Sequence, residues 1–256
     1  MKAGRFFLSG FFLVSLFVGV AADEGHEAAT PGAGPGAPLQ QILERIIPGQ
    51  APDVVEATPI PGLYQVMYGS ELFYITGDGR YVLQGDLIDL QSRVNLSEER
   101  RSQVRRGIMA DIDPTTAIIF PAKGRTRYVV DVFTDVDCTY CRKMHREIDQ
   151  YQRRGIEIRY LAYPRTGINT KSYYRAVAVW CAEDRQAAIT HAKQGGRMER
   201  TQCDNPVEAH MAKAGQIGIS GTPTLVLPDG GVIAGYVPAD QLIRILDERI
   251  GEGGRS

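Results

Sequence analysis

Cys138-Thr139-Tyr140-Cys141 carries the sharpest chemical signal in this 256-residue chain. Tyr128–Thr134 before it is a β-prone run, and the stretch after it as far as Arg153 is helical in composition. The four residues therefore stand at a strand-to-helix junction, with Cys138 at the helix N-terminus and Cys141 within the first turn. Unsatisfied backbone N–H groups and the helix dipole favour a negative sulfur there, which predicts a depressed pKa for Cys138. A thiolate attacks a disulfide, and a second thiol one turn away can resolve the resulting mixed disulfide. Half a zinc site is the competing reading. The other two cysteines, Cys181 and Cys203, are 22 positions apart and make no second C-x-x-C. A purely structural disulfide across so short a loop would restrain the unfolded chain little.

Cys181 and Cys203 lie in a block, residues 171–213, that reads as helical throughout, and neither has a helix-start signal beside it. In an exported protein they read as a structural disulfide worth about 3 kcal/mol by loop entropy. A second redox pair is the alternative. Thr222-Pro223 opens a later β-prone run. Proline is the one residue that readily adopts a cis peptide, and a strand it enters can offer backbone to an extended substrate segment. His145, one turn after Cys141, stands either near the thiols or on a solvated face, and His26, His191 and His210 have no ligand spacing. Asp131 and Asp135 flank the strand end, but alternation does not decide whether either meets the thiols. Nothing in the pattern calls for a cofactor or a metal.

The elements that position these residues form two folded segments. Leu39, Ile42, Leu43, Ile46 and Ile47 mark one apolar helix face, stopped by Pro48-Gly49. Short β-prone runs follow at Leu63–Tyr68, Leu72–Thr76 and Tyr81–Gln84, punctuated by Gly69-Ser70 and Gly77-Asp78-Gly79. A helix and a small antiparallel sheet of this size are marginal alone, so residues 39–92 read as a dimerisation module. Asn95 begins a helix, Leu96 to Ala110, with Glu98 placed to complete a capping box. Its arginines and acids leave few apolar positions, which predicts a solvated linker helix at 93–110. Residues 111–254 then run strand, helix, strand, helical block, strand pair and closing helix, an α+β or α/β domain with a mixed sheet.

Lys2 and Arg5, the apolar run Phe6 to Val20 and the small residues Val20-Ala21-Ala22 make 1–22 a signal peptide, with a flexible Ala/Gly/Pro leader at 23–38. A cleaved leader implies export, where paired thiols oxidise. The formal net charge of −1 gives no reason to expect nucleic acid as a partner.

Several stretches together resemble one family. They are Val132-Phe133-Thr134-Asp135 leading into the C-x-x-C, Tyr160-Leu161-Ala162-Tyr163-Pro164-Arg165, Ala178-Val179-Trp180-Cys181, Gly221-Thr222-Pro223, and Phe73 to Gly79 with Gln84-Gly85-Asp86. The C-x-x-C after one strand and the Thr-Pro before another resemble a thioredoxin fold, and the whole set is similar to the periplasmic disulfide isomerases of the DsbC/DsbG family. That resemblance implies a thioredoxin-like domain with a helical insertion, behind a small dimerisation domain and a linker helix, in a V-shaped homodimer. It implies Cys138 as attacking and Cys141 as resolving cysteine, Pro223 as a cis-proline facing them, and Thr139, Tyr140 and Thr222 as neighbours of the substrate. It matches Cys181–Cys203 to the family's structural disulfide.

The implied activity is isomerisation of mispaired disulfides in exported proteins in the periplasm, with a DsbD-type inner-membrane reductase as electron donor. Reduction of oxidised single cysteines and a holdase chaperone role are the alternatives. Two positions bear on the likeness. Thr139 replaces the Gly of the best-known isomerases and the Pro of the DsbG branch. Val132 stands where many thioredoxins bury an acid that assists the second thiol, and DsbC-like proteins are apolar there too.

Overall fold

The computed structural model describes residues 37–251; the expected signal peptide and residues 23–36 of the expected leader lie outside them. The N-terminal module begins with α1 (Ala37–Ile46), whose start falls just before Leu39 because a proline is compatible with the first helical turn. Strands β1 (Val54–Ala57), β2 (Leu63–Tyr68), β3 (Glu71–Thr76) and β4 (Val82–Leu83) form an antiparallel sheet in the order β1-β2-β3-β4. Alternation along β2 sorts its side chains between two faces. Val66 and Tyr68 pack with Leu39, Leu43 and Ile75 beneath α1, while Met67 joins Leu72 and Tyr74 on the other face. Strand β1 carries little apolar signal beyond Val54-Val55, and sequence reading missed it. A two-stranded ladder of β5 (Ile88–Asp89) and β6 (Val94–Asn95) closes the module.

Helix α2 (Leu96–Ala110) has the expected span, and the Asn95 side chain accepts the Glu98 N–H at 2.9 Å. The reciprocal half of the capping box does not form. The Glu98 carboxylate instead takes Arg105 at 2.7 Å, because a charge-assisted bond outcompetes a neutral backbone donor. Nor is α2 a solvated connector. Ser97 is buried, bonded to the Tyr74 hydroxyl and accepting the Leu87 N–H at 2.7 Å. Val104 packs against the second face of the N-terminal sheet, and Ile108 and Met109 pack against a cluster of the C-terminal domain. Arg105, only 9% exposed, also reaches the Gly230 carbonyl at 3.3 Å, and Arg106 donates to the Asp229 carbonyl at 2.8 Å. Hydrogen bonding makes such polar burial tolerable, and hydrophobic periodicity cannot register it. Gly230 has φ +82°, and a Cβ there would run into the Ser102 backbone.

A 3₁₀ turn at Pro114–Thr116 leads into β7 (Ile118–Phe120), β8 (Tyr128–Thr134), α3 (Thr139–Arg146), α4 (Ile148–Arg153) and β9 (Ile156–Ala162). There follow α5 (Lys171–Trp180), α6 (Arg185–Lys193), α7 (Val207–Gln216), β10 (Thr224–Val226), β11 (Val232–Ala234) and α8 (Ala239–Gly251). The sheet order is β11-β10-β8-β9-β7, with β8 and β9 parallel and the remaining pairs antiparallel. Both faces of this sheet are covered. Val130, Val132, Ile156, Ile158 and Tyr160 join Trp180 and Leu242 on one side; Phe133 and Leu161 join Ala214 and Ile217 on the other.

Two expectations change here. The helix after Cys141 breaks at Glu147, with ψ 10°, into α3 and α4. The block 171–213 is three helices with a non-helical segment at 194–206 that holds Cys203, while Cys181 caps the C-terminus of α5. Gly195-Gly196 and Asn205-Pro206 bound that segment, and both pairs are helix breakers.

Candidate active site

Strand β8 delivers the chain to the site. After Thr134 it turns through Asp135, Val136 and Asp137, and Cys138 becomes the N-cap of α3 in an extended conformation. Asp135 organises this turn. Its buried carboxylate accepts the Asp137 N–H at 2.8 Å, the Ser172 hydroxyl at 2.6 Å and the Arg165 N–H at 3.1 Å. Burial works to raise the Asp135 pKa, but these hydrogen bonds hold it below its ordinary value. Asp135 is thus an ionised scaffold for the turn. Asp131 lies four residues earlier, on β8, beside Arg159 and α2 residues Met109 and Ala110.

Cys138 and Cys141 are free thiols in this structure. The Cys138 sulfur lies 3.2 Å from the Thr222 carbonyl oxygen, and Thr222–Pro223 is a cis peptide. The loop ahead of β10 therefore stands directly over the helix terminus that holds Cys138. A hydrogen bond from Cys141 to its sulfur pulls the Cys138 pKa down to about 5, against a desolvation penalty and with further help from backbone N–H groups of α3. Cys141 is 1% exposed, and burial holds its pKa far above the ordinary thiol range. One sulfur is set to be an anion and the other a neutral donor to it.

Thr139 and Tyr140, between the cysteines, are exposed, Tyr140 at 60%. Among the described residues no cluster of three or more His, Cys, Asp or Glu is placed to hold a metal ion. A helix-terminal thiolate, an adjacent buried thiol and an open rim make up the chemistry of disulfide exchange.

Comparison with known proteins places this geometry in a family. A family profile described as a thioredoxin-like domain matches residues 116–250, and one described as the disulfide bond isomerase protein N-terminal domain matches residues 21–98. The thiol:disulfide interchange protein DsbC of Escherichia coli K12 is 31% identical over 241 residues, covering 93% of this chain and 95% of that protein. The DsbC of Dickeya dadantii is 33% identical over 211 residues, covering 82% and 86%. This chain belongs to the DsbC family. A solved disulfide interchange protein from Neisseria gonorrhoeae is 29% identical, with a TM-score of 0.46, and covers 52% of this chain and 97% of its own. Membership makes the chain a thiol:disulfide oxidoreductase with a thioredoxin-like domain behind a DsbC-type N-terminal domain.

Within this DsbC-family site the structure brings together Cys138, Cys141, Thr222 and Pro223, with Thr139 and Tyr140 on the rim. Cys181 and Cys203 lie apart from it, joined in a disulfide with a Cα–Cα distance of 5.9 Å that ties α5 to the 194–206 segment. His145 is on no solvated face. It is buried, with Nδ1 3.3 Å from the Tyr160 hydroxyl and Nε2 2.9 Å from the Thr190 hydroxyl. Burial, and then the nearby charge of Lys193, push its pKa down to about 3, so it is neutral at pH 7.

Sequence reading gave Thr134 no role beyond its place at the end of β8 and missed Lys193 altogether. The Lys193 ammonium, buried at 3% exposure, donates to the Thr134 hydroxyl at 2.7 Å behind Cys141. One signal was available. Ile189, Ala192 and Lys193 share a helical face, and two of the three are apolar.

Proposed function

We propose that this chain is a periplasmic protein disulfide isomerase, and that Cys138 and Cys141 carry its chemistry. The observation that supports this most directly is the opposed pair of thiols under the Thr222 carbonyl, one held as an anion at the helix terminus and one buried and protonated. The Cys138 thiolate attacks a mispaired disulfide of an exported protein. One substrate sulfur joins Cys138, and the other leaves as a thiolate. A substrate thiolate then attacks the mixed disulfide, forms a new substrate disulfide and returns Cys138 as a thiolate, so isomerisation consumes no electrons.

When Cys141 attacks instead, the substrate leaves reduced and the Cys138–Cys141 pair is oxidised. A dithiol donor must then restore it, and a DsbD-type inner-membrane reductase fits that need. The exposed Thr139 and Tyr140, with Thr222 and Pro223, frame the extended substrate segment, and Cys181–Cys203 is a structural disulfide. The N-terminal domain joins two copies, so that two such sites face one client.

The test is recovery of activity from scrambled ribonuclease in a glutathione buffer. Recovery that vanishes in Cys138→Ala supports isomerisation. No recovery, from a protein whose Cys138–Cys141 disulfide is readily reduced, overturns it in favour of a reductase of single oxidised cysteines.

A further inference from the structure

Release through Cys141 poses a proton problem. Its thiol is buried, and Val132, two residues before Thr134 on β8, is apolar and offers no acid to take the proton. Lys193, the last residue of α6, closes the gap from another element. Its Nζ lies 2.7 Å from the Thr134 hydroxyl oxygen and 5.1 Å from the centre of the Tyr160 ring. Both the Thr134 hydroxyl and the Lys193 charge favour the thiolate form of Cys141, against its burial. A hydroxyl has one proton and two lone pairs, so Thr134 can accept from Lys193 and donate to Cys141 at once.

The other charged and titratable groups around this pair are already engaged. Asp135, after β8, is saturated by Ser172, Arg165 and backbone donors. On α3, Arg142 is paired with Asp137, His145 has both ring nitrogens occupied, and Cys138 faces Thr222. Tyr160 of β9 bonds His145. Among the described residues Lys193 makes no ion pair, and a buried ammonium is otherwise unfavourable. Cys141 is the group left to become its anion.

We propose that Lys193, acting through the Thr134 hydroxyl, takes the proton from Cys141 as the mixed disulfide is released, and gives it back when the Cys138–Cys141 disulfide is reduced. This rests on the roles proposed above for Cys138 and Cys141. In release, the Cys141 proton passes to the Thr134 oxygen while the Thr134 proton passes to a neutral Lys193 amine. The Cys141 thiolate attacks the Cys138 sulfur, the Cys138–Cys141 bond forms, and the bond to the substrate sulfur breaks with its electron pair leaving on the substrate. In reduction by a dithiol, Cys141 leaves as a thiolate and is reprotonated from the Lys193 ammonium by the reverse path. Burial lowers the Lys193 pKa to about 8, so neutral amine is present near neutral pH. Lys193 touches no substrate atom and is a positioning residue.

The experiment mixes the reduced full-length mature protein with a peptide disulfide that carries a fluorescent leaving thiol, and follows the mixed disulfide by acid quench and mass spectrometry from pH 5 to 10. Capture by Cys138 and release through Cys141 are read as separate phases. In Lys193→Met and in Thr134→Val, release slows by about tenfold or more at pH 7 and its pH profile moves to higher pH, while capture stays within about twofold. Thr134→Ser restores release. In a Cys138→Ala background, Lys193→Met moves the alkylation midpoint of Cys141 upward.

Release that keeps its rate and its pH profile in both variants overturns the role of Lys193, with that of Cys138 intact. A parent protein that forms no mixed disulfide overturns the underlying reading and the relay with it. Should Lys193→Met fail to fold, Thr134→Val, which leaves the lysine in place, decides on the same criteria.

Discussion

The Cys138 sulfur sits 3.2 Å from the carbonyl oxygen of Thr222, a residue 84 positions later in the chain. That contact joins the end of β8 to the start of β10, the two strands that pair in register at Phe133 and Thr224. The sheet therefore fixes the distance between the nucleophile and the loop that faces it. Substrate backbone can dock on the loop while its sulfur meets Cys138, so binding and reaction geometry come from one rigid element.

The asymmetry of the two thiols should be visible in their alkylation. Cys138, with its pKa near 5, should react with iodoacetamide at a rate that rises between about pH 4 and 6 and is flat by pH 7. Cys141 should stay unreactive past pH 9, where an ordinary thiol is largely ionised. Mass spectrometry of partly alkylated protein distinguishes the two. A Cys138 midpoint near 8.5 would contradict this account of the helix terminus and of the Cys141 hydrogen bond.

Strands β8 and β9 and helix α2 were legible to the residue, because Val, Ile and Tyr run through the strands and Asn95 marks a strong cap. The strand-to-helix placement of Cys138 was legible for the same reason. What escaped were elements whose stability is tertiary. Strands β1 and β7 are short runs that exist through their pairing with β2 and β9. The burial of Arg105 and Lys193 was illegible because each is held by one distant oxygen, at Gly230 and at Thr134, and composition assigns arginine and lysine to the surface. The break at Glu147 has no glycine or proline to announce it.

Asp131 offers a test of burial on the strand itself. Desolvation raises its pKa from 3.8 to about 6, with Arg159 opposing and Glu157 assisting. Because the folded value lies above the unfolded one, ionised Asp131 costs stability above about pH 6, and that cost disappears below about pH 4. Asp131→Asn should therefore gain about 2 kcal/mol at pH 8, with the gain fading as pH falls through the window from 6 to 4. Urea unfolding at pH 8 and pH 4 measures the difference. An equal effect at both pH values would show that the carboxyl is not strained by its surroundings.

Gly230 tests the docking of α2 against the C-terminal domain. Its φ of +82° disfavours any side chain, and an alanine Cβ would meet the Ser102 backbone and the Arg106 side chain. Gly230→Ala should lower stability by roughly 1–3 kcal/mol. It should also speed hydrogen exchange in α2 around Ser102 to Arg106, while the Cys138 alkylation midpoint stays in place. Unchanged exchange in that segment would mean that the contact of α2 with the β10–β11 turn is not what holds the helix.

The remaining prediction concerns the edge of the N-terminal sheet. Strand β4 pairs with β3 on one side, and its outer backbone groups have no ladder partner among the described residues. Tyr81, Val82 and Leu83 are 57%, 52% and 50% exposed, and Leu90 nearby is 87% exposed. An open apolar edge strand is a template for pairing with a second strand, and natural edges are usually blunted by charge or proline. If two copies join here, Val82→Asp should leave a monomer in sedimentation at micromolar concentration, because a desolvated carboxylate has no partner in the joined edge. Each monomer would keep its own thiol pair, so reduction of a small disulfide should persist while recovery of scrambled ribonuclease falls. A Val82→Asp protein that still sediments as a dimer would move the interface away from β4.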